Sequence, residues 1–280
     1  MNILLLNYEF PPLGGGASLQ TRLLAEQFSL QGHKVVIITS HYKGGNFFES
    51  YKNITIYRLP VLRKDLFKSR LIEMLLYVIL STLLSAFIIK KEKIQYQLSF
   101  FLLPTSVTAY INNILFRVPY WVSLRGGDVP SFVPNETQYY RYFYKFALKI
   151  GKKAKQLVAV SDDLAKLAKD DFPELNSKIN NIDNGIEILK NIPYRTINKI
   201  KVFMFAGRLT EQKNLKNIII SLYKIKEPFV FNIYGDGPLK PELQKLIRNL
   251  CMTDRVIIYP WASNYEIEKE MRKSDYLILL

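Results

Sequence analysis

Cysteine is almost missing from this 280-residue chain, which has only Cys251. That excludes an internal disulfide framework and fits a reducing, cytoplasmic compartment. Histidine is nearly as scarce, with His33 and His41 alone. Two histidines and one cysteine make metal ligation an unlikely use of these residues, and no metal site is expected. His33, in a Gly-His-Lys turn before a strand, reads as structural; His41 has no assigned role. The amino terminus, Met1-Asn2-Ile3-Leu4-Leu5-Leu6-Asn7, lacks a basic n-region and a long apolar run. A secretory signal is therefore excluded, and the segment reads as a buried parallel strand. Thirteen glycines and thirteen prolines follow no period, and there is no short repeat or low-complexity tract. Two phosphate-binding motifs are also missing: there is no Gly-x-x-x-x-Gly-Lys-Ser/Thr and no Gly-x-Gly-x-x-Gly. The second strand ends Thr39-Ser40, not in the acid expected to hold a ribose.

Acid is short too. Thirty-nine Lys and Arg against 24 Asp and Glu leave a formal charge of +15. Such a surplus calls for a polyanionic neighbour: a membrane surface, a phosphorylated substrate or a nucleic acid. No RNA- or DNA-binding module is present, so nucleic acid is the least supported.

What is there is globular, at 49% hydrophobic and 22% charged. At roughly 150 residues per domain, the length fits two domains or one large one. Short β-branched or aromatic runs at 3–6, 35–39, 54–59, 96–100, 120–124 and 157–160 alternate with helical stretches such as 19–30. The pattern restarts with strands at 202–206, 229–234, 256–259 and 276–280 and helices near 214–224 and 241–249. Alternation of this kind predicts parallel sheets covered on both faces, in two doubly wound halves. The expected division is 1–190 and 191–280, with a linker over 188–201 around Pro193. The second half is small and stops within an apolar strand, so the sequence is expected to be partial.

Three loops carry candidate chemistry. Pro11-Pro12-Leu13-Gly14-Gly15-Gly16 leads from the first strand into a helix. Glycines there let a backbone approach a ligand, and the helix start offers free N–H groups to a phosphate; the alternative is a flexible turn. Gly207-Arg208-Leu209-Thr210-Glu211-Gln212-Lys213 follows a strand's carboxyl end, where open α/β sheets bind ligands. Arg208 and Lys213 there either stabilise negative charge on a departing diphosphate or are merely solvated. Tyr234-Gly235-Asp236-Gly237-Pro238 allows a tight turn whose exposed amides suit a base or ribose. Ser161 reads as the cap of a helix beginning near Asp162, with no histidine placed to make it a nucleophile.

Two helices are unusual. Residues 71–89 hold one carboxylate, Glu73, and would form a helix of roughly 28 Å, just able to span a bilayer. Spanning is rejected, because strands on either side belong to one sheet. Glu73, Tyr77, Ser81 and Ser85 recur every four residues as a narrow polar seam. A buried core helix and a helix lying in a membrane surface both remain open. Residues 58–93 hold eight basic and three acidic side chains, which favours an anionic leaflet. Residues 139–155 carry Arg141, Lys145, Lys149, Lys152, Lys153 and Lys155 with Tyr140, Phe143, Tyr144 and Phe146, and no acid. That pattern suits a lipid interface, single-stranded nucleic acid, or a solvated basic face.

Taken together, the Pro11–Gly16 loop, Gln31-Gly32-His33-Lys34-Val35, Ser123-Leu124-Arg125-Gly126-Gly127-Asp128, Val160-Ser161, Asn184-Gly185-Ile186-Glu187, Gly207-Arg208-Leu209 with Lys213-Asn214, and the Tyr234–Pro238 loop resemble the retaining GT-B glycosyltransferases of family GT4, in the family's order. The resemblance implies a GT-B-like α/β fold, two Rossmann-like domains facing a cleft, with the second incomplete. It implies a metal-independent hexosyltransferase-like enzyme with no cofactor, moving sugar from a nucleotide-diphosphate donor to a hydroxyl. The acceptor expected is a glycan or lipid-linked or cell-surface polysaccharide precursor, at the inner face of the cell membrane. By resemblance Arg208 and Lys213 meet the diphosphate as the catalytic cations. The loop of Gly15 and Gly16, with Gly207, Gly235, Gly237 and Pro238, surrounds the donor. Consistent with metal independence, no convincing Asp-x-Asp pair is found.

Two features depart from the family. Arg125 stands where the family often has histidine; it would pair with Asp128 or meet an anionic acceptor. Asp128 either orients an acceptor hydroxyl or caps its loop. The family's Glu-x7-Glu motif would follow residue 280, which puts catalysis by this chain in question. The rival readings are a non-catalytic, membrane-associated protein of the same fold and a GT-B epimerase or phosphorylase.

Overall fold

The computed structural model describes residues 1–66, 69–132, 140–186 and 199–279. Glu187, most of the expected linker (through 198), Tyr139 and Leu280 lie outside the described residues. The chain divides into two compact units, Met1–Glu187 and Ile188–Leu280.

The first unit runs β1 (Asn2–Leu6), α1 (Gly16–Leu30), β2 (Lys34–Ser40), β3 (Phe48–Tyr51), β4 (Ile54–Leu59), α2 (Leu71–Lys91), β5 (Tyr96–Phe100), α3 (Thr105–Phe116), β6 (Tyr120–Ser123), α4 (Tyr140–Lys153), β7 (Leu157–Ala159), α5 (Asp162–Asp171) and β8 (Ile179–Asn181). Its eight-stranded sheet has the order β3-β4-β2-β1-β5-β6-β7-β8. Every pairing is parallel except β3 with β4. The apolar runs in β1 and β2 are continuous because both faces are covered. Leu4, Leu6, Val36 and Ile38 join the core on one side, under α2 to α5. Ile3, Leu5, Val35 and Ile37 join the other, under α1. Each fully buried side chain of this size contributes about 1.5–3 kcal/mol.

Helix α2 reverses the usual arrangement. Its polar seam faces inward: Glu73, Tyr77, Ser81 and Ser85 are buried. The Tyr77 hydroxyl donates to the Ile38 carbonyl at 2.9 Å. Ser81 bonds the Thr108 hydroxyl at 2.7 Å, and Ser85 donates to Asn112 Oδ1 at 3.0 Å. Glu73 accepts from the Arg70 amide and guanidinium, closing a capping box at the helix start. Of the two readings left open, the seam belongs to the core, yet the opposite, aliphatic side is exposed. The strands flanking α2, β4 and β5, lie in one sheet, so the helix runs along that sheet.

The second unit runs β9 (Lys201–Ala206), α6 (Leu215–Tyr223), β10 (Phe229–Tyr234), α7 (Lys240–Asn249), β11 (Val256–Tyr259), α8 (Asn264–Lys273) and β12 (Tyr276–Leu277). Its parallel sheet has the order β11-β10-β9-β12 around Phe205, Phe231, Ile233 and Leu243. The expected strand 276–280 is shorter than its apolar run, since only Tyr276 and Leu277 pair, with Phe203 and Met204.

Candidate functional site

In the second unit the loops after β9 and β10 leave the carboxyl ends of adjacent strands. Backbone hydrogen bonds tie them together. Gly207 N–H donates to the Tyr234 carbonyl at 3.0 Å, and Leu209 N–H to the Asp236 carbonyl at 3.0 Å. Gly235 has φ +154°, and a Cβ there would stand 2.0 Å from the Gly207 oxygen. At Gly237 it would stand 2.4 Å from the Leu209 oxygen. The glycines are therefore required so that one loop can lie on the other.

This corrects the reading of Gly235 and Gly237 as displayed amides. Gly235 N–H is spent on the Tyr259 carbonyl at 3.3 Å. Gly237 N–H is spent on Asp236 Oδ1 at 2.8 Å, and Lys240 holds the other oxygen at 3.1 Å. These two contacts, the Gly237 amide first, hold the Asp236 carboxyl below its ordinary range. Gly207, whose amide is also spent, and Pro238 are exposed at the loop surface.

The same loop carries the basic pair. Arg208 is exposed and Lys213 half-buried, the latter in a short 3₁₀ turn, Glu211–Lys213. Asn214, in the left-handed conformation at φ 47°, ends that turn and starts α6. Leu209 is completely buried between the cations. Both ends of the loop are thus fixed, and its cations stand at the strand's carboxyl end.

In the first unit, α1 begins at Gly16 with Gly15 as its cap, without a side-chain cap or an acid in the first turn. Among the described residues, no atom beyond its chain neighbours and its own helix backbone lies within 4 Å of the place a Gly16 Cβ would take. Gly14 sits at φ +83°, and a Cβ there would stand 2.5 Å from the Glu9 carboxylate. Glu9 in turn stands 3.7 Å from the buried Arg63 guanidinium. Arg63 Nη2 is buried without a hydrogen-bond acceptor. Glu9 and Arg63 escaped the sequence reading; nothing in their spacing distinguishes them from surface charges. Asn7, donating to Thr21 at 2.7 Å, fastens the strand before the loop to α1.

Arg125 and Asp128 are neighbours without forming the expected ion pair. Asp128 is completely buried. Its oxygens accept from the Arg125 amide at 2.7 Å and the Leu102 amide at 3.0 Å. Burial raises its carboxyl above the ordinary range, while these amides and its own pull the other way. With both oxygens committed inside the loop, Asp128 holds backbone and is a positioning residue; the catalytic role expected for it is withdrawn. The Arg125 guanidinium turns to Asn184 Oδ1 at 2.6 Å and lies 4.8 Å over the Phe100 ring. Burial brings its pKa down to about 10, partly offset by Asp128. Its Nε is buried without an acceptor among the described residues.

The remaining assignments are local. Ser161 caps α5, its hydroxyl accepting from the Leu164 amide at 3.2 Å. His41 Nε2 meets the Gly45 carbonyl at 2.8 Å and its ring stacks on Phe47. Among the described residues no three His, Cys, Asp or Glu side chains cluster as a metal site would.

A family model described as Glycosyltransferase Family 4 matches residues 14–188, and one described as Glycosyl transferases group 1 matches residues 191–280. An uncharacterized glycosyltransferase of Methanocaldococcus jannaschii is 33% identical over 138 residues, 45% of this chain. The match spans about a third of that relative, 32% of its length. Sucrose-phosphate synthase from Thermosynechococcus elongatus superposes with TM-score 0.82 at 13% identity, covering 99% of this chain and 74% of that one. WaaG, a glycosyltransferase involved in lipopolysaccharide biosynthesis, gives 0.69 at 15% identity over 100% of this chain and 74% of its own. Anabaena HepE in complex with UDP and glucose gives 0.66 at 16% identity, over 99% and 73%. At these identities the solved structures speak for the fold.

Proposed function

The chain belongs to Glycosyltransferase Family 4, and on that premise we propose that it carries a sugar from a nucleoside-diphosphate donor to a hydroxyl acceptor with retention of configuration. The observation that carries the reading is the loop from Gly207 to Lys213. It is clamped to its neighbour at Gly235 and Gly237, and it holds Arg208 and Lys213 at the carboxyl end of β9.

In the proposed step the bond between the sugar's anomeric carbon and the phosphate oxygen breaks. The acceptor oxygen forms the new bond on the same face, and its proton passes to the departing phosphate oxygen. Charge grows on the diphosphate as the bond opens. Arg208, with a planar fork of donors, and Lys213, a point charge, stabilise it where it develops. These cations take the place of a metal, so no metal enters the step. Within the first unit, the α1 amino terminus at Gly15 and Gly16, bare of side-chain caps, is by itself a place where N–H groups can meet a phosphate. Arg125, beside Asn184 in the first unit, is proposed as an acceptor-side residue. Fold neighbours solved with UDP or with ADP support a nucleoside diphosphate as the donor's handle. The acceptor is a lipid-linked or surface-polysaccharide precursor met at the inner face of the membrane, which suits the aliphatic side of α2.

Arg208→Ala is expected to lower turnover about 10²-fold or more at saturating donor. Near-normal turnover removes Arg208 from this role. A thermal-shift series of nucleotide sugars identifies the donor. The right one, at 100 times its dissociation constant, adds about 2.7 kcal/mol of stability.

A further inference from the structure

Helix α2 spends its hydroxyls and its carboxylate on the core and leaves its aliphatic side outside. Leu71, Ile72, Leu75, Ile79, Leu83 and Phe87 are all more than half exposed, Leu83 at 68%. Spaced by three and four from Ile72 onward, they form one continuous row on the helix. Scattered exposed leucines need no explanation, but a contiguous row along a 21-residue helix does.

The surroundings of the row are basic. Lys91 lies 5.6 Å over the Phe87 ring, and Lys90 lies 5.7 Å over Phe116 of α3. Arg117, next in the chain, is exposed. Across α3, a groove of about 530 Å³ is lined by Tyr110, Leu148, Lys145, Lys149, Lys152 and Lys153. Neither α3 nor α4 contains an acidic residue. The one carboxylate of α2, Glu73, is buried and bonded to Arg70. The face therefore pairs an aliphatic row with lysines and shows no carboxylate on its helices. A second copy would set lysine against lysine. A nucleic acid would use the lysines but leave the aliphatic row wet.

We propose that the α2–α3–α4 face of the first unit docks on an anionic lipid leaflet. The α2 row enters the boundary between headgroups and acyl chains, and the lysine groove between α3 and α4 receives lipid phosphates. Docking of this kind does not depend on the sugar-transfer reading, and its test needs no activity.

The test is flotation of the full chain with phosphatidylcholine vesicles, with and without phosphatidylglycerol. The chain is expected to float only with the anionic vesicles. Lys149→Ala weakens that binding about fivefold, the equivalent of about 1 kcal/mol per basic residue. The double variant Ile79→Gln, Leu83→Gln weakens it at least tenfold while its melting temperature stays at or above the wild-type value, because both side chains are solvent-facing. Equal flotation with neutral vesicles overturns the proposal, as does flotation with neither. A lipid-free dimer split by the α2 variant reassigns the face to self-association. Binding to single-stranded RNA that competes with vesicles, and is unaffected by the α2 variant, reassigns the groove.

Discussion

A methyl group on residue 235 would collide with the Gly207 carbonyl oxygen, 2.0 Å away. Gly235→Ala should push the Arg208 loop off its seat, at a cost of about 1–3 kcal/mol. Urea unfolding measures that cost, and a donor-binding assay should show affinity falling with it. Gly16→Ala is the contrasting case, since among the described residues its methyl meets nothing within 4 Å beyond its chain neighbours and own helix backbone. Stability should hold or rise by up to about 1 kcal/mol, alanine being the better helix former. A drop in donor affinity without loss of stability would then report a ligand occupying that space. For Asp128, whose carboxyl burial raises, the folded chain holds the proton more tightly than the unfolded chain. Wild type should therefore gain stability over Asp128→Asn as pH falls through the folded-state value, and lose that advantage as pH rises through it. Paired thermal melts across the range just above the ordinary carboxylate pKa check the sign. Arg208 and Lys213 could be picked out in the sequence because their spacing after a strand suffices to place them. The duties of Gly235 and Gly237 could not, and for Asp128 loop capping was one of two open roles, because the choice depends on which backbone atoms come to lie opposite. Those contacts are made between segments distant in sequence, such as Leu102 and Asp128.

Helices and strands differed in how openly they showed themselves. The strands β1 and β2 stand out as unbroken apolar runs, Ile3–Leu6 and Val35–Ile38, since helices cover both of their faces. The antiparallel edge strand β3 and the outer strand β8, Ile179-Asn180-Asn181, went unrecognised for the converse reason: much of each is exposed, so neither has an apolar pattern. Helix α2 displayed its four-residue polar spacing plainly, but the direction of that seam was set by Thr108 and Asn112 on α3. Asn112 donates to Gln97 Oε1 at 2.8 Å and accepts from Ser85, all buried. Asn112→Ala should leave Gln97 Oε1 buried without its donor, Ser85 keeping the Thr82 carbonyl at 3.1 Å, and cost about 1–3 kcal/mol, read from chemical denaturation followed by far-ultraviolet circular dichroism.

Across the whole molecule, each unit has its own core. Phe231 is fully buried among residues of the second unit only. Phe231→Ala should remove about 3–5 kcal/mol from that unit. Hydrogen exchange should show protection falling through β9 to β12 while β1 and β2 keep theirs; uniform loss would mean that the units unfold as one. Alternating strands and helices made the doubly wound character of both units readable in advance. The surplus of 15 positive charges pointed to an anionic neighbour without locating it, and the structure gathers part of that surplus on the α2–α4 side.

The inward hydroxyls of α2 also bear on how the chain is born. Ser81 and Ser85 find their α3 partners 27 residues downstream. During translation Tyr77 and Glu73 can therefore meet Ile38 and Arg70 as soon as the helix forms, whereas Ser81 and Ser85 wait for α3, on a helix that has the length and hydropathy to cross a membrane. Until α3 docks, the chain carries a helix whose apolar side and half of whose hydroxyl seam are both uncovered.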